Sequence, residues 1–384
     1  MKSKCVIIAG EMSADVLGSE IISNNQEVDW YGVGGPLMKA NNLKNIINWE
    51  KISGFGLTDV IFKLPLLIFN AFFLANQIID VKPKLIITVD TKGFNFFLIK
   101  IIRKKIKNIN YKPKFIHLVA PTVWAWRPNR AKKLYGLVDK LLCLFPNEED
   151  YFKKFKVNTE FVGHPAVQNF SMNKDRKSLF AFLGIPDNKE IIISLLPGSR
   201  ASEVKKILPI LISTAGLLKN KIKTPILFVL QAASNQEKLI NNLLNNSSEN
   251  IIVLGQESNG LLLTASSDYS IITSGTATLE YALSGVPSIA IYKTNLISAA
   301  IGRKIINMDK IILPNWILGK KVMDFLFQEE CNAKTISETM LSLILDKEKH
   351  KQINNFSSDL KKLLTANNKT FNENLSQIIK QSLI

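Results

Sequence analysis

The segment "LLPGSRASEV" (195–204) presents Ser199 and Arg200 at the start of a helical pattern, directly after an apolar run. Backbone amides at a helix N-terminus favour anions, and a guanidinium adds a bidentate grip on phosphate. The GxxxxGK[ST] spacing of a Walker loop is absent. A second segment, "TSGTATLEYALSGVP" (273–287), repeats the design. Ser274, Gly275 and Thr276 follow the strand-like run 269–273, and Glu280 lies in the first turns of the next helix. A capping box would need Ser or Thr three residues before Glu280, and that position is Ala277. Two such turns in one domain suggest a nucleotide-diphosphate site, with Glu280 on the ribose hydroxyls as acids are in dinucleotide sites; the local alternatives are a capped helix start with a solvent arginine at 200 and a dipole role for Glu280.

The N-terminal half offers acids instead. "AGEMSADVLG" (9–18) carries Glu11, Ser13 and Asp15 in the first strand-to-helix turn, without the GxGxxG fingerprint. These three residues face a cleft, or Ser13 caps the helix and Asp15 favours its dipole. In "VDTKGFNF" (89–96), Asp90 ends an apolar strand. A carboxylate there needs solvent or a hydrogen-bond partner, and it is placed as a general base is. "APTVWAWRPNR" (120–130) joins Trp124 and Trp126 to two arginines, which suits stacking, a lipid interface or core packing. The three histidines have no ligand spacing and there is no Asp-x-Asp pair, so no metal and no cofactor are expected. Without a GxSxG elbow, a Ser-His-Asp hydrolase is poorly supported.

Positioning these residues takes a particular set of elements. "CVIIAG", "KLIITVD", "KFIHLVAP" and "KLLCLFP" are continuous apolar runs separated by helical segments, and "IIISLLPGSR", "PILFVLQ", "NIIVLG", "YSIIT" and "SIAIYK" repeat the pattern. Such runs indicate parallel sheets covered on both faces. The 384 residues exceed one ordinary core, so two domains of roughly 150–200 residues follow. The expected division is 1–165, a linker at 166–190, a second domain at 191–345, and C-terminal helices at 346–384 packing across both. The fold class is α/β: two doubly wound Rossmann-like domains facing across a cleft, with ligands at the carboxyl ends of strands.

The net charge of +17 is uneven, with 24 Lys/Arg against 14 Asp/Glu in residues 1–165. Ten basic residues and no acid fall between Arg103 and Lys133. A solvated surface, an anionic membrane face, a phosphorylated substrate and nucleic acid all suit that charge. The run "VIFKLPLLIFNAFFLANQII" (60–79) is apolar but interrupted by Lys63, Pro65, Asn70, Asn76 and Gln77. A spanning helix needs about 20 predominantly apolar residues, so a buried helix or one resting on a bilayer is the better expectation. Leu66, Phe69, Phe72 and Phe73 are the candidate membrane contacts. Three scattered cysteines suggest a reducing compartment, and the short apolar run near the N-terminus is a first strand, not a signal peptide.

In order along the chain stand "GEMSADVLG", "YGVGGPLM", "FIHLVAPTVWAWR", "FVGHP", "LLPGSRASEV", "SGTATLEYALSGVP", "LPNWILG" and "LFQEEC". This ordered set resembles the lipid-A-disaccharide synthase family, inverting glycosyltransferases of Gram-negative outer-membrane lipid synthesis. The resemblance implies the GT-B fold and metal-free transfer of 2,3-diacylglucosamine from its UDP derivative to 2,3-diacylglucosamine 1-phosphate (lipid X). The products are the β-1,6-linked disaccharide 1-phosphate and UDP. It places the family's essential aspartate at Asp90, as base for the acceptor 6-hydroxyl, and puts Arg200, Glu280 and Asn315 on the donor side. It also implies a cytoplasmic enzyme peripheral to the inner face of the inner membrane, with an anionic membrane surface and no nucleic acid as partner. Ala14 where glycine is common, Gly93 where a second aspartate is frequent, and Gln168 after the GHP motif depart from the family pattern. The rivals are another GT-B enzyme acting on UDP-N-acetylglucosamine (an epimerase or a polyprenyl-linked sugar transferase) and a non-catalytic basic protein binding membrane or nucleic acid.

Overall fold

The computed structural model describes residues 2–53, 57–122, 128–170, 175–233, 235–245, 247, 249–295, 299, 303 and 311–384. Trp124, Trp126 and Arg127 of the tryptophan-arginine motif lie outside them. The chain forms two compact units, Met1–Pro165 with Leu364–Ile384, and Ala166–Leu363.

Unit 1 holds seven parallel strands: β1 (Lys4–Ala9), β2 (Asp29–Val33), β3 (Lys44–Asn45), β4 (Leu85–Val89), β5 (Lys114–Leu118), β6 (Lys140–Cys143) and β7 (Thr159–Phe161). Their order is β3-β2-β1-β4-β5-β6-β7. Both faces of the sheet are covered, which is why β4 is buried at every position instead of alternating. On one face, Leu74 and Ile78 of the helix Leu57–Val81 and Leu98 and Ile102 of the helix Lys92–Ile106 pack with Val6, Ile8 and Ile86. On the other, Ile21 and Ile22 of the helix Met12–Ser23 meet Ile7 and Ile87.

Unit 2 holds β8 (Ile191–Leu196), β9 (Ile226–Gln231), β10 (Ile251–Leu254), β11 (Tyr269–Thr273), β12 (Ser288–Tyr292) and β13 (Asp324–Phe327), in the order β10-β9-β8-β11-β12-β13. The strand order reverses between β1 and β4 in unit 1, and between β8 and β11 in unit 2. Ligands bind at the carboxyl ends of strands flanking such a switch point. The motif loops follow these four strands.

Two boundaries differ from the sequence expectation. Residues 166–190 are not a free linker: Leu179 and Phe180 of the helix Arg176–Leu183 pack with Val229 and Leu263 of unit 2. Arg176 adds ion pairs to Asp187 at 2.8 Å and Asp268 at 3.1 Å. The C-terminal segment divides between the units. Ile353, in the helix Lys347–Leu364, joins the core of unit 2. Phe371, Leu375, Ile378 and Ile379 in the helix Phe371–Leu383 join that of unit 1. Their i, i+4, i+7, i+8 spacing is the apolar stripe of a docked helix.

Candidate active site

In unit 2, the loops after β8, β9 and β11 enclose an open pocket of about 380 Å³, lined by Ser199, Arg200, Gln231, Ser274, Gly275, Thr276 and Glu280 among others. Thr273 ties two of these loops by donating its hydroxyl to the Leu196 carbonyl at 2.8 Å. The helix Ala201–Lys221 starts at this wall, where the Glu203 and Val204 amides donate to the Arg200 carbonyl at 2.9 and 3.0 Å, and its N-terminal end favours an anion. Glu203 folds back to accept from the Arg200 amide at 3.3 Å and from its guanidinium at 2.9 Å. Gly198 makes this possible. Its φ is +103°, and a β-carbon there would stand 2.6 Å from Glu203 Oε2. The Arg200 side chain is 74% exposed, so its pair with Glu203 is weak enough to exchange for a stronger anion.

The second loop is built differently. The helix Ala277–Leu283 has only seven residues, so its dipole is small, and the loop's contribution is hydroxyls and open backbone. The side chains of Ser199, Ser274 and Thr276 make no hydrogen bond among the described residues, whereas Thr278 spends its hydroxyl on the Gly275 carbonyl at 2.7 Å. Glu280 is half-buried at the pocket wall. Among the described residues its carboxylate has no hydrogen bond or ion pair, and burial raises its pKa above the ordinary glutamate value. Desolvating a carboxylate without compensation costs free energy in the free protein.

Asp90 lies at the carboxyl end of β4 in unit 1. Asp90 and Thr91 both adopt left-handed backbone, with φ of +45° and +35°. Two consecutive non-glycine residues there cost about 1–3 kcal/mol each. Asn95, fully buried, pins the turn by donating to the Val89 carbonyl at 3.1 Å and the Asp90 carbonyl at 3.0 Å. Gly10 lets β1 approach: a β-carbon there would meet Thr91 Cγ2 at 2.8 Å. The carboxylate pairs with Lys92, Oδ1 to Nζ 3.2 Å. Nearby His117 is completely buried against the Phe96 ring, and its Nδ1 shares a 2.8 Å hydrogen bond with Thr88. Burial first, and the Lys92 charge second, push its pKa down to about 3, so the imidazole is neutral.

Six of the residues expected on the donor side thus come together in unit 2. Asn315 lies elsewhere in that unit: its amide accepts from Val322 and Met323, both at 2.9 Å, and donates to the Met323 carbonyl at 2.8 Å. These three bonds fix the turn before β13. Of the residues expected on the acceptor side, Glu11 stands at the entrance of the helix Met12–Ser23 and Ser13 does not cap it; both are exposed. Asp15 is buried and caps another helix, accepting from the Leu37 and Met38 amides at 2.9 and 3.2 Å. Gln231 escaped the sequence reading. It ends β9, its side chain makes no hydrogen bond among the described residues, and its amide rests on Gly260. The signal available was its place at the end of the strand next to the phosphate-loop strand, where dinucleotide folds hold a ribose.

The helix Leu57–Val81 is long and apolar enough by length and composition to cross a membrane. Its buried face argues for another disposition: Ala71, Leu74, Ala75 and Ile78 are wholly enclosed, and Asn70 donates to the Lys51 carbonyl at 3.0 Å. The opposite face is bare. Leu66 is 52% exposed and Phe69 66%, with Phe72 and Phe73 nearly half exposed.

The sequence profile of the lipid-A-disaccharide synthetase family matches residues 5–379. A lipid-A-disaccharide synthase of Rickettsia prowazekii is 32% identical over 389 residues, covering 99% of this chain and all of its own length. One from a Sulfurihydrogenibium species is 34% identical, covering 91% of this chain and 90% of its own. Among solved structures, the calicheamicin glycosyltransferase CalG4 superposes with a TM-score of 0.62 at 11% identity, covering 100% of this chain and 99% of its own. MurG of Acinetobacter baumannii does so with 0.58 at 14% identity, over 98% and 99%. These two likenesses show the GT-B fold. A family match along nearly the whole chain and relatives above 30% identity establish more than the fold: the chain belongs to the lipid-A-disaccharide synthase family and carries that activity in lipid A biosynthesis.

Proposed function

We propose that unit 2 binds the UDP-2,3-diacylglucosamine donor and that Asp90 of unit 1 is the base for the lipid X acceptor. The observation that carries the donor reading is the unit 2 pocket, where an anion-favouring helix entrance shares a wall with hydroxyls and a carboxylate that have no partner among the described residues. Arg200 exchanges Glu203 for the diphosphate, the loop 274–276 supplies hydroxyl and amide donors, and Glu280 accepts from the ribose hydroxyls. Gln231 borders the nucleoside end.

In the reaction, the 6-hydroxyl oxygen of the acceptor attacks C1 of the donor sugar from the face opposite the diphosphate. The C1–O bond to the β-phosphate breaks, its electron pair leaves with UDP, and the hydroxyl proton passes to Asp90. Attack from that face inverts C1 and gives the β-1,6 linkage. Charge grows on the leaving diphosphate, so donors held ready at the pocket stabilise the transition state more than the ground state. The strained, pinned turn at Asp90 supports a role that needs a fixed carboxylate.

The bare face around Phe69 rests on the inner face of the inner membrane, on the cytoplasmic side. Its apolar side chains enter the acyl boundary and the basic surface of residues 1–165 meets anionic headgroups. Both substrates are acylated anions and are met at such a surface.

The test is mass spectrometry of products made by purified protein from both acylated substrates, beside Asp90→Asn. Wild type yields disaccharide 1-phosphate and UDP. Asp90→Asn lowers kcat about 10²- to 10⁴-fold with UDP affinity unchanged. Full activity of the variant removes Asp90 as base, and turnover of an unacylated UDP-sugar by wild type would contradict the substrate reading.

A further inference from the structure

The Asp90 carboxylate is held asymmetrically. Its Oδ1 meets the Lys92 ammonium at 3.2 Å, whereas Oδ2 has no partner among the described residues. Both side chains are partly enclosed, 26% and 32% exposed. The contact is set by the backbone. The left-handed pair Asp90 and Thr91 turns the chain so sharply that Lys92, the first residue of the helix Lys92–Ile106, comes back over the carboxylate. Asn95 locks that turn through two carbonyls. Behind it, His117 is neutral and turned to Thr88, so among the described residues Lys92 is the cation paired with this carboxylate.

A carboxylate has two equivalent oxygens and a soft, two-fold terminal torsion. Free in a cleft, it presents either oxygen over a range of directions. With one oxygen held by an ammonium, the other has a single direction, and orientation of this kind carries much of the rate of a proton transfer.

We propose that Lys92 is a positioning residue for the transfer reaction: by holding Oδ1 of Asp90 it leaves Oδ2 as the one oxygen presented to the acceptor 6-hydroxyl. This rests on Asp90 being the base, as proposed above. It adds a group that does not itself touch the transferred proton. The proton moves from the acceptor oxygen to Oδ2, and Lys92 keeps its charge and its contact throughout. A lysine serves here because its compact ammonium needs only one oxygen.

The experiment is a double-mutant cycle on kcat and on KM for donor and acceptor, using the full chain and both acylated substrates. The proteins are wild type, Lys92→Met, Asp90→Asn and the double variant, with Lys92→Arg as conservative rescue. Lys92→Met is expected to lower kcat about 10- to 100-fold with donor KM unchanged. Lys92→Arg recovers part of that loss. In the Asp90→Asn background, Lys92→Met costs less than about twofold, because a group acting through Asp90 has nothing left to act on. The proposal is overturned if Lys92→Met stays within twofold of wild type, or if it costs the same factor in both backgrounds. A purely structural lysine gives equal losses and no rescue. Thermal unfolding of each variant accompanies the kinetics, and Lys92→Gln replaces Lys92→Met if the latter melts early. Wild-type kcat in Asp90→Asn overturns the base assignment itself, whereas an inactive Asp90→Asn beside a fully active Lys92→Met overturns only the role of Lys92.

Discussion

Replacing Glu280 by glutamine separates ligand binding from folding. In the folded chain its carboxylate is half-buried at the pocket wall, with no hydrogen bond or ion pair among the described residues. Burial therefore costs free energy that nothing in the described protein offsets, and the pKa is raised. The sign of the pH dependence follows. From the ordinary glutamate value of 4.5 up to its raised folded value, the folded chain keeps a proton that the unfolded chain has released. Stability therefore falls as pH rises through that window and levels off above it. Glu280→Gln removes this contribution, so the free variant is as stable as wild type at low pH and more stable near neutrality. Binding changes in the opposite direction. Hydrogen bonds from ribose hydroxyls to a charged acceptor contribute about 1.5–3 kcal/mol, so the variant binds UDP about 10- to 150-fold more weakly. Calorimetric titration with UDP and with 2′-deoxy-UDP gives the binding arm, and denaturant unfolding at several pH values gives the stability arm. Wild type should discriminate between the two nucleotides and the variant should not. Unchanged UDP affinity, or a loss of stability as large as the loss of binding, would refute the reasoning and return Glu280 to a role in its helix.

Two further outcomes test the loop and the apolar face. Gly198→Ala forces a β-carbon to within 2.6 Å of Glu203 Oε2 at a φ of +103°. Backbone strain of about 1–3 kcal/mol and a displaced cap worth about 0.5–2 kcal/mol lower Tm and weaken UDP binding together, read by thermal unfolding and titration. Phe69→Ser with Phe72→Ser removes two exposed rings, each contributing up to about 1.5–3 kcal/mol when it enters lipid. Cosedimentation with vesicles containing anionic lipid should fall about tenfold or more while Tm is unchanged. Leu74→Ser on the enclosed face of the same helix should instead lower Tm.

The sequence alone determined the sheet architecture and the two anion-favouring loops, because these are local. Continuous apolar runs specify parallel strands covered on both faces, and Pro197-Gly198 or Ser274-Gly275 turns follow from residue type at fixed offsets. The ordered motifs fixed the family for the same reason, since they are strings of neighbours. Tertiary structure alone decided what each polar group spends its hydrogen bonds on. Asp15 has the same local context as a cleft acid, yet it caps amides 22 and 23 residues away. Asn315 sits in a family motif and is consumed by the turn at Val322 and Met323. Gln231 has no motif and reaches the pocket because β9 lies beside β8. The left-handed turn that folds Lys92 back onto Asp90 is likewise unreadable in "VDTKGFNF". It depends on a buried Asn95 and a glycine some eighty residues earlier, contacts that exist only after β1 and β4 have paired.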